Sequence, residues 1–498
     1  MGPGETGPAA LEFGPRMTGL ETLMWRLGHH DPAFNPTMSL VVRLDGPISL
    51  SAVRARVGEL IRTVPRLAER VVEPPVPMRP PRWAAAPGFS VDDHVTARPG
   101  PLWDVADRAV AEPWDAGRPP WRVVLTSALG RPGELVLHLH HSYTDGLGGV
   151  RLITSLFDFH AEGAPTAGAS TDASTPASTE AVGAAASDAP AEAVRAAVSD
   201  ASMEAVRAAV SDAPAGGPPG WFDEVVGEIE RAFGLWGRAL PWARRTLASA
   251  ALNPPSVLDP AVEFVTALEG QVRAATGPAS PLLSDRSAGV HLVPLELSLT
   301  AMRDAGTRIG VTVNDVFVAG LLDGLTRYHA KHGRFSPSLR LAMPISDRRA
   351  PDGMHNQILG AALRGPLGPL DLDFAERARL VHEMILLARN QPWAGAIEHL
   401  ASTAARLPGT VAAMAAGLRS VDVIASNVAG PPAPMWLAGV PVASMTPIGP
   451  RSGSAVNATL MSYCDRAAVG LNLDPAAVTS PGVLLDCLVA AFDEALAS

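Results

Sequence analysis

Strand-like and helix-like stretches alternate through both halves of this 498-residue chain, and that alternation predicts an α/β layered architecture. A second observation is the stretch from 162 to 220, dominated by Ala, Ser, Thr, Pro, Asp and Glu, which splits the alternation into two blocks. The third is length, which exceeds what one simple core organises and suits two domains of ordinary size. We therefore expect an N-terminal unit over 1–161, a linker over 162–220 and a C-terminal unit over 221–498.

In the first block, Met38 to Leu44 reads as a strand. Ser49 then caps a helix that places Val53, Val57, Leu60, Ile61 and Val64 on one stripe, and Pro65 ends it. A proline-rich passage leads to Trp83 and a second strand-turn region. Strands follow at Trp121–Thr126 and Glu134–His141, joined by the turn residues Gly130 to Gly133. The linker carries a tandem repeat of period 12, EAVGAAASDAPA, EAVRAAVSDASM and EAVRAAVSDAPA. Three units supplying only alanines and a valine or two cannot build a solenoid core, so a flexible connection is expected. Beyond it, Phe222, Val225, Val226, Ile229, Phe233, Trp236 and Leu240 follow helical spacing, as a helix packed on the core or one facing lipid. Ser298 caps a helix to about Arg308, and another starts near Thr312. Strands return at Leu339–Met343, Val421–Ser426, Thr459–Tyr463 and Ala468–Leu473, and Val483 to Leu496 forms the closing helix.

Composition narrows the function classes. Hydrophobic residues make up 47% and charged residues 18%, enough to bury a substantial interior. A net charge of −10 argues against a nucleic-acid partner held through phosphates. Two cysteines, Cys464 in a strand-like run and Cys487 on an apolar helix face, form no disulfide framework and no zinc spacing; both are expected to be buried and inert. The N-terminus lacks a basic region followed by an apolar core, and no apolar run is long enough for a transmembrane helix. A cytoplasmic protein is the expectation, with a peripheral contact at the inner face of a membrane compatible with it.

The chemistry concentrates in His140-His141-Ser142-Tyr143-Thr144-Asp145-Gly146. On an alternating strand His141 shares a face with Leu135, Leu137 and Leu139, while His138 and His140 point the other way. An imidazole at the end of an apolar face suits general-base work, because desolvation favours its neutral form. Asp145 is expected to orient the turn, with Arg348 a candidate partner, and Gly146 leaves backbone room for a close substrate. Two other readings stand beside this one. His138 and His140 on one face could bind a metal, but the metallohydrolase pattern HxHxDH needs Asp and His where this chain has Ser142 and Tyr143, so no metal is expected. The histidines could also be ordinary strand residues before a turn.

The pattern HHxxxDG is the signature of the coenzyme-A-dependent acyltransferase superfamily, and further segments resemble a narrower group, the bacterial wax ester synthase/acyl-CoA:diacylglycerol acyltransferases. Met17-Thr-Gly-Leu-Glu21 resembles its opening LSPLD, with Glu for Asp. Val64-Pro65-Arg66-Leu67 and Phe89 through His94-Val95 resemble VPRF and FDxxxHV. Trp114 through Pro119-Pro120-Trp121 stands where the group has LDRSRPLW, with Pro120 for Leu. Asn314-Asp315 matches its ND pair, Pro344 through Arg348 its PVSxR, and Asn427-Val428-Ala429-Gly430-Pro431 its NVPGP, with Ala429 for Pro; Ser462-Tyr463 repeats its SY. The resemblance implies two chloramphenicol-acetyltransferase-like subdomains with a channel between them. It implies acyl-CoA as substrate rather than any bound cofactor, diacylglycerol or a fatty alcohol as acceptor, and contact with a membrane or lipid droplet. A condensation-type acyltransferase of secondary metabolism and a catalytically silent lipid-binding protein of the same fold are the alternatives. Thr312-Val-Asn314-Asp315 equally reads as a helix-capping box, and Asn427 to Pro432 as a sharp turn after a buried strand.

Overall fold

The computed structural model describes residues 16–74, 79–128, 130–144, 146–159, 280–336, 338–346, 358–366, 372–389, 411, 415 and 418–497. The repeat linker, the 222–240 stripe, Asp145 and Arg348 lie outside the described residues.

The first half opens with α1 (Gly19–His30), whose N-cap Thr18 and Glu21 close a reciprocal capping box. Next come β1 (Thr37–Leu44), α2 (Leu50–Thr63) and the hairpin of β2 (Glu69–Val72) with β3 (Arg82–Ala85). Ser49 caps α2 by accepting from the Ala52 amide, and a 3-10 turn begins at Pro65, where the helix stops. After a short α3 (Val91–His94) and β4 (Val95–Ala97) follow α4 (Leu102–Ala111), β5 (Trp121–Leu125), β6 (Glu134–His140) and α5 (Gly146–Thr154).

The second half contains β7 (His291–Ser298), α6 (Leu299–Ile309), α7 (Val313–Lys331), β8 (Ser338–Ser346), β9 (Ile358–Pro366) and α8 (Phe374–Arg389). It closes with β10 (Val423–Val428), β11 (Trp436–Leu437), β12 (Val440–Ile448), β13 (Val456–Tyr463), β14 (Arg466–Leu473) and α9 (Pro481–Ala497). Ser298 caps α6 as expected.

Two six-stranded sheets organise these elements. One runs β7-β14-β13-β10-β8-β9, parallel at β13–β10 and β10–β8 and otherwise antiparallel. The other runs β11-β12-β1-β6-β5-β4. Its first two strands come from the C-terminal end of the chain, so the expected second unit, 221–498, lends strands to the sheet of the first. In that sheet β12 pairs antiparallel with β1, placing Thr446 opposite Val41 and Ile448 opposite Ser39. To reach it the chain passes tightly over β14: a Cβ at Gly470 would collide with the Pro447 carbonyl, so only glycine admits this crossing. Each sheet has its own core, one around Leu40, Val42, Val53, Trp121, Leu137 and Leu139, the other around α7, α9, Leu341, Leu460 and Leu471.

Both cysteines differ in setting. Cys487 is buried on α9, as its spacing implies, but Cys464 sits in the tight turn between β13 and β14 at φ 54° and is partly exposed. The strand-like run around it ends one residue earlier, because the Tyr463–Arg466 pair closes a two-residue hairpin loop. No single described helix is long and apolar enough to cross a membrane.

Candidate active site

The site is built on β6, which lies between β1 and β5. Alternation along the strand sends Leu135, Leu137 and Leu139 into the core and His138 and His140 to the opposite face. His138 is 2% exposed and its Nδ1 hydrogen-bonds the Ser39 hydroxyl at 2.8 Å; burial pulls its pKa down to about 3. His140 is buried. Its Nδ1 accepts the Ser142 backbone N–H at 3.0 Å and lies 2.8 Å from the Ser142 hydroxyl, which assigns its proton to Nε2. Its ring lies 5.0 Å from Trp25 and edge-on to Trp114 at 6.4 Å, and burial holds its pKa well below the ordinary value.

The strand ends at His140, one residue short of the expected range, and His141 begins the turn. Its backbone N–H still donates to the Pro36 carbonyl at 2.9 Å, carrying the ladder to β1 one bond further while the backbone leaves the pleat. The residue is 6% exposed. The turn is closed by the Tyr143 N–H to the His140 carbonyl at 3.0 Å, and α5 begins at Gly146. The N-terminal amides of α5 therefore lie within a few residues of the imidazole, where they favour negative charge.

Tyr143 pins this turn from behind. It is buried, 4.7 Å from the Trp83 ring, with its hydroxyl 3.4 Å from the Glu69 carbonyl. Arg66 lies over the Trp83 ring, 4.8 Å from its centroid, and pairs with Glu69 at 3.0 Å. Trp121 donates from its indole to the Leu67 carbonyl at 2.7 Å, stacks on His94 at 4.5 Å and accepts from His94 Nδ1 through its own carbonyl at 2.8 Å. Segments far apart in sequence, Arg66-Leu67, Phe89–His94 and Trp121, thus form one aromatic wall behind the histidine turn.

The remaining candidates stand elsewhere. Asp315 is 2% exposed and completes the capping box of α7 by accepting from the Thr312 amide and hydroxyl at 2.8 Å; its Oδ2 also lies 2.7 Å from His382 Nδ1 on α8. Asn314 is half-buried beside it, and Asn427 is exposed near the end of β10. Behind Asn427, Gly430 donates to the Ser462 hydroxyl, and a Cβ there would collide with the Ser462 carbonyl. The NVAGP and SY segments are therefore one contact, completed by the Tyr463 hydroxyl, which accepts from the Met435 amide and donates to the Val442 carbonyl. Among the described residues no three His, Cys, Asp or Glu side chains are grouped to hold a metal.

Residues not singled out by pattern also shape the site. Trp25 and Pro36 are supports for the histidines, beside Trp114 of the LDRSRPLW-like segment, and the signal for Trp25 was the Thr18-x-x-Glu21 spacing that starts its helix. A cavity of about 210 Å³ opens between the halves, bordered by Val41, Arg43, Trp103, Glu296 and Thr446. Val41 stands four residues along β1 from Thr37, the partner of His140, or about 13 Å. That cavity is not where the histidine turn lies.

Two six-stranded sheets joined by strands that the second half lends to the first place the chain in the chloramphenicol-acetyltransferase-like fold class. The signature of the wax ester synthase/diacylglycerol acyltransferase catalytic domain matches residues 17–220, and that of the family's C-terminal domain matches residues 358–495. The chain belongs to this family. It is 28% identical over 505 residues to a Mycobacterium tuberculosis H37Rv protein named as a diacylglycerol O-acyltransferase, covering 99% of this chain and 93% of that one. Another from the same strain is 25% identical over 467 residues, covering 89% and 87%. Among solved structures, the wax ester synthase/diacylglycerol acyltransferase from Marinobacter aquaeolei VT8 superposes with a TM-score of 0.57 at 17% identity, covering 96% of this chain and 98% of its own. The first condensation domain of the calcium-dependent antibiotic synthetase gives 0.54 at 16% identity, covering 96% of each. These likenesses are of fold.

Proposed function

We propose that this acyltransferase moves a fatty acyl group from acyl-CoA to the hydroxyl of diacylglycerol or a long-chain alcohol, yielding triacylglycerol or wax ester, with His141 as the general base. The hydroxyl oxygen attacks the thioester carbonyl carbon as the His141 imidazole takes its proton. Negative charge gathers on the carbonyl oxygen, within the field of the α5 N-terminus. The intermediate then collapses, the carbon–sulfur bond breaks, and the imidazolium returns the proton to the departing thiolate, leaving an ester and free coenzyme A. The balance is complete without a cofactor, so none is assigned.

The observation that carries this reading is the place of His141 at the end of β6, where the strand gives way to the turn that leads into α5. His138 is bonded to Ser39 and His140 to Ser142, whereas the backbone turns off the sheet at His141. A lipid acceptor implies that the protein works from the cytoplasm against the surface of a membrane or droplet, as a peripheral partner. The test is thiol release from palmitoyl-CoA against a panel of emulsified diacylglycerol, hexadecanol and amines. Release with the lipid alcohols, and its loss in His141→Ala, supports the proposal; release confined to amines or to a carrier-bound acyl group overturns it.

A further inference from the structure

The short turn between α1 and β1 carries an unusual amount of fixed geometry. Asp31 caps α1 through its N–H to the Leu27 carbonyl at 2.9 Å, its Oδ1 accepts from the Ala33 amide at 3.0 Å, and its carbonyl accepts from the Phe34 amide at 2.9 Å. Asn35 holds a positive φ of 20°, with its side chain donating to the Val110 carbonyl at 2.8 Å and accepting from the Thr37 amide at 3.2 Å. The next residue is Pro36, whose carbonyl takes the His141 amide. The turn is thus the seat of the proposed base.

One long-range charge contact reaches this seat from the second half of the chain. Arg419 meets the Asp31 carboxylate fork to fork, Nε to Oδ2 and Nη2 to Oδ1, both at 2.7 Å. Burial alone would raise the Asp31 carboxyl, but the bonds from Arg419 and Ala33 outweigh it and hold it below 3.8. Around the pair Leu23, Leu27 and Phe34 pack against Val411 and Ala415, with Leu20 and Leu418 at the margin. Arg419 is itself tied down, its amide donating to the Ala415 carbonyl at 3.1 Å.

We propose that Asp31 and Arg419 form a positioning pair for acyl transfer, a clamp that couples docking of the second half against α1 to the placement of His141 through the 31–36 turn. Neither residue touches the reacting atoms. The inference rests on the reading of His141 as base. Loss of the clamp leaves the imidazole present but loosens the carbonyl that seats it, and small misplacements of a reacting group are costly.

The test uses the full-length protein with Asp31→Asn, which keeps an acceptor for the Ala33 amide while removing the charge, Arg419→Met, which keeps the apolar stem, and the double variant. Each single substitution is expected to lower kcat by about tenfold while KM for acyl-CoA stays within about twofold. The double variant is expected to be no slower than either single, since one contact is lost in all three. Hydrogen exchange at the His141 amide should quicken in each, with exchange in the β13–β14 core unchanged. Unaltered kcat in Arg419→Met, or a loss of kcat matched by faster exchange throughout the chain, overturns the clamp. If Asp31→Asn fails to fold, Arg419→Met decides alone, because its side chain is 47% exposed. His141→Ala, measured alongside, separates the two ideas: turnover surviving there defeats the base assignment, whereas turnover lost there but intact in Arg419→Met defeats only the clamp.

Discussion

Replacing His141 and His140 in turn separates the base from its support. A positioned general base contributes about 10²–10⁴ in rate, or about 3–5 kcal/mol of barrier at about 1.36 kcal/mol per factor of ten. His141→Ala should remove that amount from kcat. Its stability cost should be modest, about 1 kcal/mol, because its backbone bond to Pro36 survives the substitution. His140→Ala acts differently. It deprives the Ser142 amide of its acceptor and empties the space beside Trp25 and Trp114, at about 2–4 kcal/mol. At about 2–4 °C per kcal/mol for domains of this class, the melting temperature should fall by about 4–16 °C. Thiol release from palmitoyl-CoA with emulsified diacylglycerol, paired with thermal melts, reads both effects. If His141→Ala keeps more than a tenth of wild-type kcat, or if the two variants melt alike while both lose activity, the division of labour between the histidines is wrong.

Acid should weaken the fold. Burial holds His138, His140, His94 and His329 neutral, below the ordinary 6.5, so the unfolded chain binds more protons once pH drops under that value, and each imidazole removes about 1.4 kcal/mol per pH unit until its native pKa is reached, about 3 for His138; a melting temperature flat between about pH 7 and pH 5 would contradict this. Asp474→Ala should strand the guanidinium of Arg451, 1% exposed, and cost about 3–5 kcal/mol, read as a lowered urea midpoint, whereas Asp474→Leu with Arg451→Met should recover most of it. Gly430→Ala should force the NVAGP segment off the Ser462 carbonyl at about 1–3 kcal/mol, with no such cost for the solvent-exposed Ala429→Ser.

Local signals were legible where a cap or a period announced them. Ser49, Ser298 and Thr312 start helices where their spacing says, and Leu135 to His140 alternates as written. The last residue of β6 was not legible, because a period of two cannot show at which residue a strand ends. The β12 strand was hidden by Pro441 and Pro447, which argue against a strand inside a sheet; here Pro441 pairs with Trp436 of the two-residue β11. Helix α4 was hidden by its brevity, although Leu102, Val105, Ala106, Ala109 and Val110 keep helical spacing. Contacts such as Arg66 over Trp83, or Arg419 on Asp31, join residues that no spacing rule connects.

The departures from the family's segments leave the local contact of each segment in place. Glu21 in place of Asp still closes the capping box of α1, since a longer acid at the third helical position reaches back to the Thr18 amide at 2.8 Å. Pro120 in place of Leu still presents its carbonyl, which takes the His140 amide at 3.0 Å, and a carbonyl does not depend on the side chain that bears it. Ala429 in place of Pro lies exposed beside Gly430, while the close approach to Ser462 belongs to the glycine, which is retained. Each altered position therefore preserves the backbone group or carboxylate that performs the structural work.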